Sequence, residues 1–415
     1  MNVAAFIARR IAFNRQRTFS RFILRLAISA TIISVGAMIV TLAFTRGFQD
    51  AISQKVFNLW GDIHVQRVSG NDAPLTEQSA IKRNDTVLRI LHANPDIRTV
   101  QAYATKSAVI RSAEGVEAVN MKGVEKEYDF SNLGGFLKSG RWIRFPDSGY
   151  SNEVVISIYT ATQLKLKIGD KALIYFIQSG IQPGEQPSVR VRPMIVRGLF
   201  KTGIEDYDKS LAFGDLRFIQ RLNGWNPDQI GGYEIFTRDH SQATLVDSLI
   251  YPQLPRQWTS RTTVKAYPNI FDWLNLQDIT IGIALVIMVI VATLNLVTCL
   301  IILVLERTRM IGILKSIGTP DGAIQRIFLY QGGYITVFGL LLGNAFGLLI
   351  CWLQNKYGLI TLPEDAYFIS KAVVKLEWWH FVLVNAGTFL ICFLVLMIPT
   401  LIVRKVQPVR AIQFR

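Results

Sequence analysis

Four long stretches without Asp, Glu, Lys or Arg constrain this chain more than any other feature. They are residues 26–45, 279–305, 327–355 and 381–403. About 20 helical residues cross the hydrocarbon core of a bilayer, and each stretch is long enough to do so. A buried helix of a large soluble protein rarely runs so far without a charge, and the first stretch is too long for the apolar core of a cleaved signal peptide. The sequence therefore predicts four transmembrane helices.

The basic excess of the chain indicates which side of the membrane each segment faces. The formal net charge is +15, a value that could indicate nucleic-acid binding. Most of the excess lies in residues 1–25, 306–327 and 404–415, which flank the predicted spans. Basic segments beside a span usually face the cytoplasm. These three segments are therefore predicted to be cytoplasmic, segments 46–278 and 354–380 to be extracytoplasmic, and nucleic-acid binding loses its support.

The predicted fold is an α-helical transmembrane bundle of four helices in a 1+3 arrangement. A large mixed α+β extracytoplasmic domain lies between the first and second helices. The predicted segments are a basic interfacial helix (1–25), the first span (26–45), the outer domain (46–278), the second span (279–305), a cytoplasmic coupling segment (306–327), the third span (328–353), an outer loop (354–380), the fourth span (381–403) and a cytoplasmic tail (404–415). For the N-terminal segment, a plain basic flank to the first span is the alternative to a helix in the membrane interface.

Alternating and β-branched runs predict strands within the outer domain. The strands are expected within residues 62–66, 100–110, 154–156, 172–177 and 189–196. Helical patterns occur near residues 84–92, 219–223 and 241–249. A domain of this length can bury a hydrophobic core of its own.

The segment after the second span predicts a short cytoplasmic helix over residues 309–317. Gly318 suits the position just beyond a helix end, and Thr319 with Pro320 is typical of an N-cap and first residue of the next helix. The helix carries an apolar set that is expected to seek a protein groove or the lipid interface: Met310, Ile311, Ile313, Leu314 and Ile317. The groove is the sharper hypothesis.

Two spans carry further packing signals. Asn295 is the polar residue in the middle of the second span, and a hydrogen bond between helices is the preferred interpretation over a role in transport. The third span repeats glycine at spacings that predict a smooth face for close helix packing, at Gly332, Gly333, Gly339, Gly343 and Gly347.

Motifs for chemistry are missing from the sequence. It has no Gly-Lys dipeptide and hence no phosphate-binding loop, and no Gly-x-Ser-x-Gly, His-Glu-x-x-His or Cys-x-x-Cys motif. Its histidines lack metal-ligand spacing, and Cys299, Cys351 and Cys392 fall inside spans. We therefore predict no catalytic residue, no metal site and no cofactor in this chain. Any energy must come from another protein.

A series of short motifs runs through nearly the whole chain. In order they are Phe6-Ile7-Ala8-Arg9-Arg10, Arg46-Gly47-Phe48, Ser139-Gly140-Arg141-Trp142, Leu166-Lys167-Ile168-Gly169-Asp170, Val196-Arg197-Gly198-Leu199-Phe200, Gly203-Ile204-Glu205-Asp206-Tyr207-Asp208, Leu294-Asn295-Leu296 and Ile311-Gly312-Ile313-Leu314-Lys315-Ser316-Ile317-Gly318. By the order and spacing of these motifs, the chain resembles the FtsX/MacB-type permease superfamily of ABC transporters, and within it the LolC/LolE-type lipoprotein-releasing permeases. Two positions depart from the pattern: Met310 stands where an acidic residue is common, and Ser157 where glycine is usual.

The resemblance implies a permease of the bacterial inner membrane that works as a dimer, with a second permease that is a second copy or a homologous chain. ATP and Mg²⁺ would bind a separate cytoplasmic ATPase dimer. The implied ATPase-coupling residues are Arg309, Met310, Ile311, Ile313, Leu314, Lys315 and Ser316. A hook for a periplasmic lipoprotein carrier would lie at Ile181, Gln182, Pro183 and Gly184, with an ordinary surface hairpin as the alternative. Candidate contacts to lipid or substrate, expected to flank the outer membrane surface, are Met38, Phe44, Phe48 and Phe271, with simple packing against lipid as the preferred role for any single one of them.

Three functions follow from the resemblance. The first is extraction of lipoproteins from the inner membrane for transfer to the carrier. The second is MacB-like export of peptides or amphiphiles, although MacB-like chains usually carry a fused ATPase. The third is FtsX-like signalling to cell-wall hydrolases, although such proteins tend to have a smaller outer domain.

Overall fold

The computed structural model describes residues 18–68, 78–178 and 188–400 of the chain. The chain divides into two compact units. The membrane unit comprises Met1–Gln49, Leu274–Thr361 and Lys371–Arg415, and the outer unit comprises Asp50–Trp273 and Leu362–Ser370. The short segment Leu362–Ser370 therefore groups with the outer unit, although the chain on both sides of it belongs to the membrane unit.

Helices dominate the membrane unit, and strands dominate the outer unit. The helices are α1 (Thr18–Trp60), α2 (Asp85–Ala93), α3 (Ile158–Gln163), α4 (Glu205–Ser210), α5 (Leu216–Asn223), α6 (Ala243–Ile250), α7 (Thr263–Ala266), α8 (Pro268–Glu306), α9 (Thr308–Ser316), α10 (Asp321–Tyr357), α11 (Glu364–Tyr367) and α12 (Trp378–Thr400). The strands are β1 (Ile63–Arg67), β2 (Ile81–Lys82), β3 (Ile97–Arg111), β4 (Val116–Val124), β5 (Leu137–Gly140), β6 (Glu153–Ser157), β7 (Lys171–Gln178), β8 (Ser188–Phe200), β9 (Leu211–Asp215), β10 (Gln229–Ile230), β11 (Gly232–Thr237) and β12 (Trp258–Thr262).

Four of the described helices, α1, α8, α10 and α12, are long and apolar enough to cross a membrane, which confirms the predicted number of spans. Their ends differ from the ends of the charge-free stretches. Helix α1 continues to Trp60, and α8 already begins at Pro268. With 43 residues, α1 measures about 65 Å, roughly twice the hydrocarbon thickness. Charged residues end a hydrocarbon-compatible stretch, but most of them are good helix formers, so the helix itself continues.

Glycines of α10 allow α1 to approach closely within the membrane unit. A Cβ atom on Gly339 would lie 2.5 Å from Thr31 Cγ2, and a Cβ on Gly343 would lie 2.8 Å from Val35 Cβ. The glycines of α10 and the residues of α1 that contact them both recur every four residues, so the ridge of side chains on α1 fits the groove along α10. Gly347 continues this contact and Gly332 packs against α12, as predicted. The prediction is wrong for Gly333, whose Cβ would meet no described atom within 4 Å.

Polar side chains connect other helices of the membrane unit. Asn344 of α10 and Asn385 of α12 exchange two amide hydrogen bonds, of 2.7 and 3.0 Å. Asn295 Nδ2 lies 3.5 Å from the carbonyl oxygen of Ala27 on α1. This contact supports the interpretation of Asn295 as a packing residue.

The outer unit is built around a ten-stranded mixed sheet. Its strand order is β12-β1-β11-β3-β4-β9-β6-β8-β5, and β7 pairs with both β3 and β8. Most neighbours are antiparallel, but β4 pairs parallel to β9 and β6 parallel to β8. The strands β2 and β10 form a separate pair. All five predicted strand regions are confirmed as β1, β3, β6, β7 and β8, and the three predicted helical regions as α2, α5 and α6.

One hydrophobic core holds this sheet and its helices together. It combines inward-facing strand residues such as Ile110, Val154 and Ile174 with Phe218 and Ile219 of α5. The period-two pattern of the strands explains this arrangement, because alternate side chains share one face of a sheet. Burying large aliphatic side chains contributes about 1.5–3 kcal/mol each, so the sheet is a stable frame for the features described next.

Candidate functional site

Helix α9, which the sequence predicts to be cytoplasmic, has a well-defined C-terminal end. Gly318 adopts φ +88°, a left-handed conformation that favours glycine. The amides of Gly318 and Thr319 donate to the carbonyls of Lys315 and Leu314, which is the Schellman pattern. The next helix starts one position later than predicted, because Pro320 has extended backbone angles (φ −66°, ψ 146°) and occupies the N-cap, and Asp321 is the first helical residue.

The two faces of α9 have different surroundings. Ile311 is fully buried, and Met310 and Leu314 pack beside it against the helix core of the membrane unit. The Lys315 ammonium is 11% exposed and lies 2.9 Å from an Asp321 carboxylate oxygen. These four side chains were predicted to contact an ATPase, but the helices of the same chain already contact them.

The opposite face of α9 remains exposed in the described structure. Arg309, Ile313, Ser316 and Ile317 recur at helical spacing on this face. Ile313 is 46% exposed and Ile317 is 75% exposed. A single helix with two solvated isoleucines beside an arginine is suited to a partner groove. Arg309, Ile313 and Ser316 are the predicted coupling residues that lie on this exposed face, and Ile317 lies beside them. Their role in ATPase coupling stays a prediction. We call these four residues the coupling face.

A buried charge cluster holds the end of α1 in the outer unit. Lys122 of β4 and Glu234 of β11 are both fully buried, with 2.6 Å between the ammonium and a carboxylate oxygen. The ammonium also donates to the Leu59 carbonyl at 2.7 Å and lies 4.7 Å from the centre of the Trp60 ring. A cation at the carboxyl end of a helix satisfies a free carbonyl and complements the helix dipole.

Burial dominates the electrostatics of this cluster. It raises the pKa of Glu234 to about 7, against the opposing effect of Lys122. It also lowers the pKa of Lys122, again against its partner. The ring of Tyr267, directly before α8, packs 5.8 Å from Trp60. The end of α1 and the start of α8 thus meet in one cluster, which we call the junction.

A second polar contact lies beside the junction. The Asp62 carboxylate is fully buried and accepts hydrogen bonds from the backbone amide and hydroxyl of Thr237. His240 Nδ1 lies 2.5 Å from the other Asp62 oxygen, and its ring stacks on Phe57 at 5.0 Å. The hydrogen bond to Asp62 raises the pKa of His240.

The hairpin of β7 and β8 carries an exposed apolar stripe. The register pairs Ile177 with Val189 and Tyr175 with Val191, so these side chains share one face. Ile177 is 46% exposed, and Val189 is 56% exposed. The apolar stripe consists of Leu173, Tyr175, Ile177, Val189, Val191 and Pro193. The predicted hook residues Ile181, Gln182, Pro183 and Gly184 join these two strands in sequence and lie outside the described residues.

The four residues predicted to contact lipid or substrate divide into two pairs. Met38 is 1% exposed and packs within the membrane unit, and Phe271 is 7% exposed and packs on Phe57 in the outer unit. Their burial leaves no free surface on these two side chains for a lipid. Phe44 and Phe48 are only half-buried, and for them the prediction stands.

Few signals in the amino-acid sequence indicate the junction. Lys122 and Glu234 are distant in the chain. The sequence signal for a buried ion pair of this kind is a charged residue at an inward-facing position of an otherwise apolar strand. Among the residues that the structure describes, no three His, Cys, Asp or Glu side chains are grouped closely enough to hold a metal ion. The three features available for function are therefore the coupling face, the junction and the apolar stripe.

Two family matches together cover most of the chain. The description "MacB-like periplasmic core domain" matches residues 25–246, and "FtsX-like permease C-terminal" matches residues 282–408. The chain is 24% identical over 420 residues to the "Lipoprotein-releasing system transmembrane protein LolC" of Neisseria meningitidis, with 96% of each chain covered. It is 24% identical over 428 residues to the corresponding LolE protein of Haemophilus influenzae, with 99% of each chain covered.

Two solved structures are similar to part of the chain. One is the extracellular domain of the noncanonic ABC-type transporter YknZ from Gram-positive bacteria, at 16% identity and a TM-score of 0.32, covering 48% of this chain and 98% of that chain. The other is the periplasmic region of MacB from Actinobacillus actinomycetemcomitans, at 12% identity and a TM-score of 0.32, covering 50% of this chain and 91% of that chain.

The family assignment rests on the sequence matches. The MacB-like match spans more than half of the chain, and the FtsX-like match covers most of the remaining membrane helices. The four spans and the mixed α+β outer unit agree with both. The chain belongs to the family of ABC transporter permeases that join a MacB-like periplasmic core domain to an FtsX-like membrane region.

Proposed function

We propose that this chain is a lipoprotein-releasing permease subunit of the bacterial inner membrane. It works with a second permease and a separate ATPase, and it passes lipoproteins from the inner membrane to a periplasmic carrier. The names of the LolC and LolE relatives, matched over nearly their full length, motivate this choice of substrate.

The apolar stripe is the observation that carries the proposal. Exposed isoleucine and valine on adjacent strands are costly in water and are typical of a surface that a partner covers. In the sequence, the predicted hook at 181–184 lies between the two strands that carry the stripe. A carrier that shields lipid chains has apolar surface of its own, and it would match this face better than a polar partner would.

The coupling face and the junction supply the remaining parts of the mechanism. ATP-driven closure of the partner ATPase would move α9 through its exposed isoleucines. Helix α8 ends at Glu306, two residues before α9 begins at Thr308. The other end of α8 begins at Pro268, directly after Tyr267 of the junction. A displacement along α8 would therefore reach the sheet that carries the apolar stripe.

The test is ATP-dependent release of a fluorescent triacylated lipoprotein from proteoliposomes that contain the full complex. Purified carrier is added outside, and lipoprotein in the soluble fraction is measured. We expect the double variant Ile177→Asp/Val189→Asp to reduce release about tenfold or more, as expected when central apolar anchors of an interface are lost.

The matched control is Leu245→Asp, because Leu245 is 56% exposed on helix α6 of the outer unit, outside the two strands that carry the stripe. Release by this variant should equal that of the unmodified protein. Equal release by the stripe variant would refute the role of the stripe. A complex that hydrolyses ATP without releasing lipoprotein would refute the proposed substrate.

MacB-like export of peptides or amphiphiles is the second candidate, favoured by the match of residues 25–246 to the MacB-like domain. It predicts ATP-dependent movement of a soluble amphiphile without need of a carrier. FtsX-like signalling predicts neither activity and instead copurification with a cell-wall hydrolase.

A further inference from the structure

Hydrogen bonds hold together the two arms of the loop between α10 and α12 at its base. The Gln354 side chain is 3% exposed and forms hydrogen bonds with both arms of the loop. It donates to the carbonyls of Ile360 and Ala372 and accepts from the amide of Ile360. Ala372 N donates back to the Ile360 carbonyl, and Thr361 pairs with Lys371. Buried amide groups that are fully hydrogen-bonded hold their backbone in one arrangement.

The returning arm of the loop is also fixed within the membrane unit. The Lys375 amide donates to the Ala43 carbonyl of α1 at 3.0 Å. A Cβ atom on Gly47 would lie 2.1 Å from the Val373 carbonyl oxygen, so only glycine permits this approach. The loop therefore follows the helices to which its two ends are bonded.

The tip of the same loop, Leu362–Ser370, belongs to the outer unit and is held there by charge. Lys55 Nζ donates to the Phe368 carbonyl at 2.6 Å and to the Thr202 carbonyl at 2.7 Å. The Glu364 carboxylate lies 3.2 Å from Lys201 Nζ and 3.8 Å from Lys55 Nζ. One carboxylate thus bridges two lysines of the outer unit. The side chains of Lys55 and Glu364 are only 23% and 26% exposed, so solvent screens the contact incompletely.

Phe368 shows that the tip is held in one conformation. It adopts φ +61°, a left-handed conformation that is unfavourable for a residue other than glycine. Its carbonyl is the one that Lys55 holds, and its ring meets the edge of Trp273 at 5.9 Å. A strained backbone persists only where its surroundings determine it.

We propose that residues 358–375 form a strap that transmits displacement of α10 and α12 to the outer unit, with Lys55, Lys201 and Glu364 as positioning residues. The inference rests on the proposed function, because the displacement is the one that the ATPase drives. The strap would add a connection to those that the chain makes through α1 and α8. It stays docked during the cycle, since a connection that is released transmits no displacement.

The first experiment removes the charge of the tip in the full complex. We expect Glu364→Gln to speed hydrogen exchange of the Phe368 and Ile369 amides about tenfold, the size expected for losing one charge-assisted contact. Stimulation of ATP hydrolysis by lipoprotein should fall towards the basal rate. The control is Glu114→Gln, because Glu114 forms an exposed pair with Lys165 on the same unit. Unchanged exchange and unchanged stimulation in Glu364→Gln would overturn the inference.

The second experiment replaces the charge contact by a reversible covalent bond. A Cβ atom on Gly203 would lie 2.7 Å from a Glu364 carboxylate oxygen and 3.1 Å from its Cγ. The pair Gly203→Cys/Glu364→Cys therefore places two thiols close together in the space that the carboxylate now fills. The positive φ of Gly203 (+78°) makes the cysteine at this position strained, so disulfide formation must be measured directly. Formation of the disulfide shows that the variant folds with its tip docked. The described cysteines of the chain, Cys299, Cys351 and Cys392, are buried in the helices.

The oxidised double variant should recover stimulation and lose it on reduction, whereas Glu364→Cys alone should not respond to reductant. An oxidised variant without stimulation would overturn the inference, because it would show that the tip must undock. Equal stimulation in both redox states would overturn it as well. Absence of stimulation in the unmodified complex would instead count against the proposed function.

Discussion

The outer unit and the membrane unit bury polar side chains in opposite ways. The outer unit buries charged residues, among them Asp62, Lys122, Asp215 and Glu234. In the described part of the membrane unit, the buried polar side chains are neutral ones such as Thr31, Gln331 and Gln354, with no buried Asp, Glu, Lys or Arg. An ionised group needs a partner and polar surroundings that a sheet can supply, whereas hydrocarbon supplies none. The outer unit can therefore use charge to fix the helix ends, and the membrane unit must use shape.

The largest expected effect comes from removing one member of the buried charge pair in the outer unit. Lys122→Met leaves Glu234 buried without its cation and removes the cap on the Leu59 carbonyl, so we expect a loss of about 3–5 kcal/mol in local stability. Hydrogen exchange of peptides from β3, β4 and β11 measures this free energy. Lys122→Met/Glu234→Leu should recover much of it. A single variant as stable as the unmodified protein would show that the pair contributes little.

The next largest effect is expected from disturbing the close packing of helices in the membrane unit. Gly343→Leu places a side chain where Val35 Cβ would already lie 2.8 Å from a new Cβ atom. Overpacking of this kind costs about 1–3 kcal/mol, and separation of α1 from α10 would relieve it. The measurement is the thermal midpoint of the purified protein in detergent. Gly333→Leu is the matched control, and its midpoint should not change, because the space around Gly333 is open in the described structure.

A smaller effect is expected from the neutral pair. Asn344→Ala removes both hydrogen bonds to Asn385, whose Oδ1 loses the Asn344 donor while its Nδ2 still donates to the Phe381 carbonyl. Hydrogen bonds between membrane helices contribute about 0.6–1.7 kcal/mol. A double-mutant cycle with Asn385→Ala, measured by the same thermal midpoints, isolates the coupling. Additive losses would show that the two amides do not stabilise each other.

The sequence predicted those parts that depend on local pattern. Four charge-free stretches predicted the spans, alternating and β-branched runs predicted five strands, and Gly318 predicted the end of α9. The continuation of α1 to Trp60 was missed, because Arg46, Asp50 and Lys55 mark the end of hydrocarbon and not the end of a helix.

Contacts between distant residues could not be predicted. Lys122 pairs with Glu234, and Lys55 donates to Phe368 across 313 positions of the chain. Only the folded sheet brings them together. For α9, helical spacing identified the apolar residues, but the packing of the other helices decided that Ile311 is buried and that Ile317 is exposed.

The smallest expected effect is a pH dependence in the outer unit. The pKa of His240 is raised above 6.5, chiefly by its hydrogen bond to Asp62. A raised pKa means that the folded state binds the proton more tightly than the unfolded state does. The stabilisation is therefore complete below pH 6.5 and is lost as the pH rises through the higher folded value. Because His240 is 34% exposed, the loss should stay below about 1 kcal/mol.

The change in stability is followed by hydrogen exchange of β11 at constant temperature between pH 6 and 8, after correction for the intrinsic exchange rate. His240→Gln should flatten this dependence while the stability at pH 8 stays nearly unchanged. A slope that persists in His240→Gln would assign the titration to another group, and the buried Glu234 would be the first to examine because its pKa of about 7 lies in the same range.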